Sequence, residues 1–261
     1  VENDQTALAK ARKACDAVYG KKTLLADYAS IFNVDNKLNA EEIFLWSMIK
    51  EEKEGGFQSD WLVPIQYMTA KYIENPVKAG SHQQWVFITD TYKDILNEVP
   101  GDTRRVATYD TFYDPEASTT HQWINKFAGT WENEVRVFNS DIIVYRYADI
   151  LLFDAEIDCY ENNPDGAIES VNQLVQRAYG VSGYYEKGQS AEAVLDIILK
   201  ERIKEFCGEG KTWWDYIRFG VVFDRVPALA GKENNKNILL WPLSQTSLND
   251  NQNLKQTEIE Y

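Results

Sequence analysis

Gly208-Glu209-Gly210-Lys211-Thr212 brings together residue types that hold phosphate: glycines for a tight turn, a lysine, and a threonine hydroxyl. A phosphate loop also needs a first glycine five positions before the Gly-Lys pair and a strand leading into it. Position 205 is Glu205, whose carboxylate would repel a phosphate, and the segment before it has helical periodicity. Nucleotide chemistry is therefore not expected. What remains around Phe206, Trp213 and Trp214 is a set of charges: Glu201, Arg202, Glu205, Glu209, Asp215 and Arg218. Such acids can form a catalytic pair in a cleft, or ion pairs that fix how two helices cross. Arg202 and Glu205 are three apart, as are Asp215 and Arg218, a spacing that lets each pair meet on a helix face. The expectation is structural, because every acid here has a base within a turn.

The other chemistry the sequence offers is stacking. A sugar site needs flat aromatic faces for the apolar side of a pyranose, with amides, carboxylates or arginines at the rim. Trp61 lies in Gln58-Ser59-Asp60-Trp61, Tyr67 and Tyr72 follow, Trp85 sits behind Gln83-Gln84, and Trp123 behind His121-Gln122. Trp61, Tyr67, Trp85 and Trp123 are the expected ligand contacts, with Trp131 as a further aromatic in reserve. The competing role for each Trp is an anchor that packs its loop on a helix. His82 and His121 without a third ligand make a poor metal site, so neither metal nor cofactor is expected. With 41 acidic residues some close carboxylate pair is almost inevitable. A two-carboxylate glycosidase thus stays an alternative with little weight.

Composition narrows the partners. The 261 residues carry a net charge of −14, which disfavours nucleic acid phosphates and anionic lipid surfaces and permits neutral ligands. Cys15, Cys159 and Cys207 match no zinc or redox spacing, so they read as small core residues. No apolar run is long enough to span a membrane. The sequence starts at Val1 and has no initiator Met, so it reads as a piece of a longer protein.

The positioning elements follow from periodicity. Ala7, Ala11, Ala14, Cys15 and Val18 predict a helix over Thr6–Val18 that ends near Gly20. Residues 41–49 (EEIFLWSMI) favour a strand. From about 50 to 140 the pattern breaks into short apolar pieces, an irregular aromatic-rich region too long for an ordinary loop. Tyr145, Ala148, Leu152, Ala155 and Cys159 predict one helix over Asp141–Tyr160. Asn163-Pro164-Asp165 starts another that runs to Gly180, and the short link makes the two an antiparallel hairpin. A third spans about Ser190–Phe206, and a short one Thr212–Phe219. Ile238 to Pro242 form an apolar knot in a polar tail. The 34 residues from 145 to 178 are one helical-repeat length that does not recur, so an all-α interaction scaffold is also open.

KERIKEFCGEGKTWWDYIRFG resembles the C-terminal signature of the SusD/RagB family, a Glu-Arg string leading to Glu-Gly-x-Arg-Trp-x-Asp-Leu-x-Arg. Asp141–Leu152 resembles the family's D-x-P-x-x-R-Y-A-E-x-x-L-L, with Val144 for Pro and Asp149 for Glu. Ala167–Ala178 resembles A-x-x-x-I-N-x-x-R-x-R-A. Leu240-Trp241-Pro242-Leu243, Gly101-Asp102-Thr103-Arg104 and Ala7–Asp27 match further family segments, in the right order over nearly the whole chain. The resemblance implies a single C-terminal domain over 1–261, with helical signature region 141–220. The implied fold is mainly α, with tetratricopeptide-like hairpins, long irregular loops and a few short strands. The implied function is non-catalytic nutrient binding, usually of a glycan, by a surface-exposed outer-membrane lipoprotein of the Bacteroidetes type. Its implied partner is a SusC-like TonB-dependent transporter. The lipid anchor and further hairpins would lie on an N-terminal portion absent from this sequence. A peptide- or protein-binding member of the family is the main variant.

Overall fold

The computed structural model describes residues 4–49, 86–115, 118–132, 135–137 and 139–256. Two compact units emerge, residues 2–212 and residues 213–261.

The first unit is built on helices. Helix α1 (Gln5–Asp16) starts at Asp4, whose carboxylate accepts from the N–H groups of Thr6 and Ala7, two of the donors that a helix start leaves unpaired. Of the apolar set that predicts it, Cys15 is buried and Val18 partly buried. Ala7, Ala11 and Ala14 are exposed, and Leu8, Arg12 and Cys15 turn inward. Arg12 decides the rotation, because its guanidinium reaches Asp154 (2.6 Å), Asp158 (2.5 Å) and Glu161 (2.8 Å).

Strand β1 (Glu42–Trp46) follows within the segment 41–49 that favours a strand. Within the irregular region lie α2 (Asp90–Asn97), α3 (Thr103–Thr108), a hairpin of β2 (Tyr109–Asp114) with β3 (Thr119–Ile124), and a shorter one of β4 (Thr130–Glu132) with β5 (Val135–Val137).

The helix expected over Asp141–Tyr160 divides in two. Residues Ile142–Arg146 form strand β6, antiparallel to β1, and α4 begins only at Tyr147 (Tyr147–Tyr160). Three β-branched residues in a row, Ile142-Ile143-Val144, favour extended backbone, and β1 supplies the ladder partner. Register is irregular: Phe44 faces Tyr145 and Leu45 faces Ile143, so Val144 is an extra residue on β6. Such a bulge re-aims side chains. Tyr145 is turned outward while Arg146 is fully buried.

Helix α4 is buried almost all round, with Ala148, Leu151, Leu152 and Ala155 at 0% exposure. It packs against α1, α5 (Pro164–Tyr179) and α6 (Ala191–Glu205), and forms the antiparallel, tetratricopeptide-like hairpin with α5. The signals for α5 act as expected: Asn163 caps Gly166 N–H, Pro164 is the first residue, and Gly180 closes the helix at φ +70°. Ser190 caps α6 in the same way.

The GEGKT segment is a turn with two left-handed glycines, Gly208 (φ +80°) and Gly210 (φ +75°). A Cβ at Gly208 would stand 2.8 Å from Ile124 Cγ2 on β3, whereas one at Gly210 would meet nothing within 4 Å. The first glycine therefore serves both backbone shape and close packing, and the second serves shape alone.

In the second unit, α7 (Thr212–Arg218, its first residue belonging to the other unit) carries the expected ion pair of Asp215 with Arg218, at 3.0 Å. Short α8 (Val222–Arg225) and α9 (Gln245–Asp250) follow. The Gln256 side chain binds both the N–H and the carbonyl of Leu243, at 2.9 Å each, tying down the tail. The expected apolar knot is open: Leu240 is 54% and Trp241 80% exposed.

Both glycine-to-alanine changes in the turn pay the left-handed backbone penalty of about 1 kcal/mol, and only Gly208→Ala adds a clash in the core. Thermal melts should place Gly208→Ala below Gly210→Ala, which in turn lies below wild type. Equal melting points for the two variants would show that the contact with Ile124 is unimportant.

Candidate functional site

The turn places Glu209 in the interior. Arg146, the residue before α4, is the hub there. Its guanidinium meets Glu41 at 2.8 Å, Glu205 at 2.5 Å and Glu209 at 2.9 Å, and donates to the Glu205 carbonyl at 2.9 Å. Arg177 from α5 bridges the same Glu41 (2.8 Å) and Glu205. Arg104 from α3 binds Asp102 (2.8 Å) and Glu201 (2.9 Å), and reaches Glu205 at 3.5 Å. Lys126 binds Glu209 at 2.8 Å and the Glu205 carbonyl at 2.9 Å, and Tyr28 donates to that carbonyl at 2.6 Å. The rings of Tyr28, Phe32 and Phe206 flank Arg146 at 5.7, 5.8 and 4.6 Å. Lys211, last of the turn's charges, binds Asp149 of α4 at 2.5 Å.

These acids cannot act as a catalytic pair. The side chains of Glu41, Glu201, Glu205 and Glu209 have no exposed surface, and each is paired with Arg or Lys. Burial alone would raise the Glu205 carboxyl, but Arg177, Arg146 and Arg104 hold it far below the usual range. Burial acts on Glu209 in the same sense and is overcome by Arg146, Lys126 and Lys211, which bring it to about 2. A general acid needs the opposite shift.

The residues singled out in the sequence are used differently from one another. Glu205 is structural as expected, but its partners are Arg146, Arg177 and Arg104. Arg202, buried, lies 3.9 Å from Asp149 and between the rings of Phe153 and Phe206, at 4.8 and 4.9 Å. Arg104, Arg146 and Arg177 lie in family-like segments, but neither they nor Glu41 and Lys126 are expected as the partners of Glu205 and Glu209. Arg146 and Glu41 are 105 positions apart, so no local spacing announces the pair. Cys15, Cys159 and Cys207 are buried free thiols, pushed up by burial to about 11, 12 and 11, consistent with inert core residues.

Of the expected ligand contacts, Trp61, Tyr67 and Trp85 lie outside the described residues. Trp123 does not stand at the surface that a sugar contact needs. It sits on β3 opposite Asp110 and is 4% exposed, so its ring has no open face for a sugar and packs inside instead. The side chain of Trp131 is outside the described residues. Among the described residues no group of three or more His, Cys, Asp or Glu is arranged to hold a metal. Also among them, no helix is long and apolar enough to cross a membrane. Three aromatic side chains not among the expected ligand contacts are exposed on the β1–β6 sheet: Phe44 (60%), Trp46 (66%) and Tyr145 (46%), the last expected on the apolar stripe of a helix. Ile43-Phe44-Leu45-Trp46 is apolar throughout, so only the burial pattern of the strand separates the outward Phe44 and Trp46 from Ile43 and Leu45.

Residues 82–238 match the SusD family. SusD-like protein P25 of Formosa agariphila is 26% identical over 241 residues, covering 79% of this chain and 45% of the relative. NanU of B. fragilis has a similar structure, with a TM-score of 0.76, 28% identity, and coverage of 98% of this chain and 59% of the other. Surface glycan-binding protein A from Bacteroides thetaiotaomicron has the same fold, with a TM-score of 0.72 at 21% identity over 99% of this chain and 60% of that one. The chain thus spans roughly half the length of the proteins it resembles.

The charged core sets a pH dependence. Glu209 titrates near 2 in the folded state and near 4.3 in an unfolded chain. Its contribution to stability is therefore complete above the unfolded value and lost as pH falls toward the folded one. Melting temperature should fall most steeply between about pH 4.5 and 2. Glu209→Gln should melt lower at pH 7 and show a shallower acid slope. An unchanged slope in that variant would mean that Glu209 does not carry the acid sensitivity.

Proposed function

The chain belongs to the SusD family, and from that premise we propose that it binds a nutrient glycan at the cell surface without catalysis. In this reading it delivers the ligand to a SusC-like TonB-dependent transporter, and the full-length protein is held to the outer membrane by an N-terminal lipid anchor. The match of residues 82–238 carries the reading. Two further observations support it. The residues that could do acid–base chemistry in the signature region are consumed in buried ion pairs, which disfavours a glycosidase built on them. And a protein with this fold is named as a surface glycan-binding protein.

Trp61, Tyr67 and Trp85 remain our proposed sugar contacts. They fall in the least periodic part of the sequence, flanked by Gln, Ser, Asp or His that can reach hydroxyls. Aromatic stacking of this kind is worth about 1–3 kcal/mol per ring, taking nucleobases as the analogue. An open platform gives weak binding, about micromolar to millimolar, and a neutral ligand makes it insensitive to salt.

A glycan array should retain the chain on at least one neutral glycan, and incubation with that glycan should form no new reducing ends. Titration calorimetry should then find Trp61→Ala and Trp85→Ala weaker by roughly tenfold to a hundredfold. New reducing ends would establish a hydrolase instead. Wild-type affinity in both folded variants would move the site away from these residues.

A further inference from the structure

The outer face of the β1–β6 sheet has no role in the charged core, yet its strands are anchored in that core. Glu42 and Arg146 are paired in the ladder and buried, and Ile143 is buried beneath the same sheet. Phe44 and Trp46, two residues apart, both point outward, and the bulge at Val144 brings Tyr145 out directly opposite Phe44. Three rings are therefore fixed on one small surface by a paired backbone. Two positions along a strand separate Phe44 from Trp46 by about 6.7 Å, so each ring can meet a different unit of a chain-like ligand. The neighbouring charge is already committed: Lys211 Nζ lies 5.8 Å from the Tyr145 ring and is bound to Asp149 at 2.5 Å. Nothing in that arrangement asks for a charged ligand.

The size of the face argues against a protein partner. Five residues on each of two strands cover about 17 Å by 10 Å, well below the roughly 800 Å² that each partner contributes to a stable protein interface. It is enough for a few sugar rings. We propose that the outer face of β1–β6 is a sugar-contact surface additional to the Trp61 region. Trp46 and Phe44 stack on the apolar faces of successive pyranose units of a neutral oligosaccharide, and the Tyr145 hydroxyl bonds to a ring hydroxyl. This rests on the glycan-binding reading above and assigns it a second contact.

The test uses the whole chain and a panel of neutral oligosaccharides: maltoheptaose, laminariheptaose, cellohexaose and xylohexaose. With whichever member the wild type retains, Trp46→Ala should bind about tenfold more weakly, Trp46→Phe should recover most of the loss, and Phe44→Ala/Trp46→Ala should be weaker still. Hydroxyl-radical footprinting of the unmutated chain gives a readout independent of variant folding. Bound sugar should protect Trp46 and leave exposed Trp241 reactive. Wild-type affinity in the folded double variant, or no protection of Trp46, would overturn the proposal while leaving the glycan reading intact. If none of the panel binds the wild type, the glycan reading fails and this surface falls with it. Unchanged sugar binding combined with loss of a self-association seen in wild type would assign the face to a second copy of the chain.

Discussion

A fully buried guanidinium has to be neutralised, and the fold of residues 2–212 is arranged around that requirement at Arg146. Desolvating such a group costs several kcal/mol unless opposite charges and hydrogen bonds replace the water. The replacements come from far along the chain: Glu41 before β1, Glu205 at the end of α6, and Glu209 in the turn after it. Arg177, Arg104 and Lys126 then balance the surplus of carboxylates. Removing any member strands a charge in the interior, so all these segments must be in place together. Surface pairs such as Lys187 with Glu169 and Lys200 with Glu98, both well exposed, carry no such demand and are worth little.

This constraint explains why the most conspicuous motif is silent chemically. The turn has to bring Glu209 to Arg146 and Lys211 to Asp149 within three residues, and Gly208 lets the chain pass Ile124 on the way. What looks like a phosphate cradle is a device for inserting one acid and one base into the core. The exposed aromatic face of β1–β6 is one of the surfaces this core supports.

Helix ends were legible because their signals are local. Asn163-Pro164 and Gly180 bracket α5 and Ser190 opens α6. The boundary between β6 and α4 was not, because apolar residues at 145, 148 and 152 keep helical spacing across it. The β-branched run Ile142-Ile143-Val144 leans toward extended backbone, and pairing with β1, about a hundred residues upstream, decides it. Around α1 local spacing shows Cys15 and Val18 but not Arg12, which turns inward because Asp154, Asp158 and Glu161 hold it. Long-range charge pairs leave no trace in local spacing, so Glu205 was seen as structural while its true partners were not. As for the candidate site, Trp123 had the polar neighbours of a sugar contact, but its place on β3 buries it. Trp61, Tyr67 and Trp85 stand as sequence-based proposals.

The most direct measurement of the central claim is a double-mutant cycle on Arg146→Met and Glu205→Gln, read by denaturant unfolding. If the two groups are one buried unit, the double variant should be far more stable than the sum of the single losses implies, with a coupling of about 1.5 kcal/mol or more. Additivity within about 0.5 kcal/mol would contradict it and show that the fold does not depend on this ion pair.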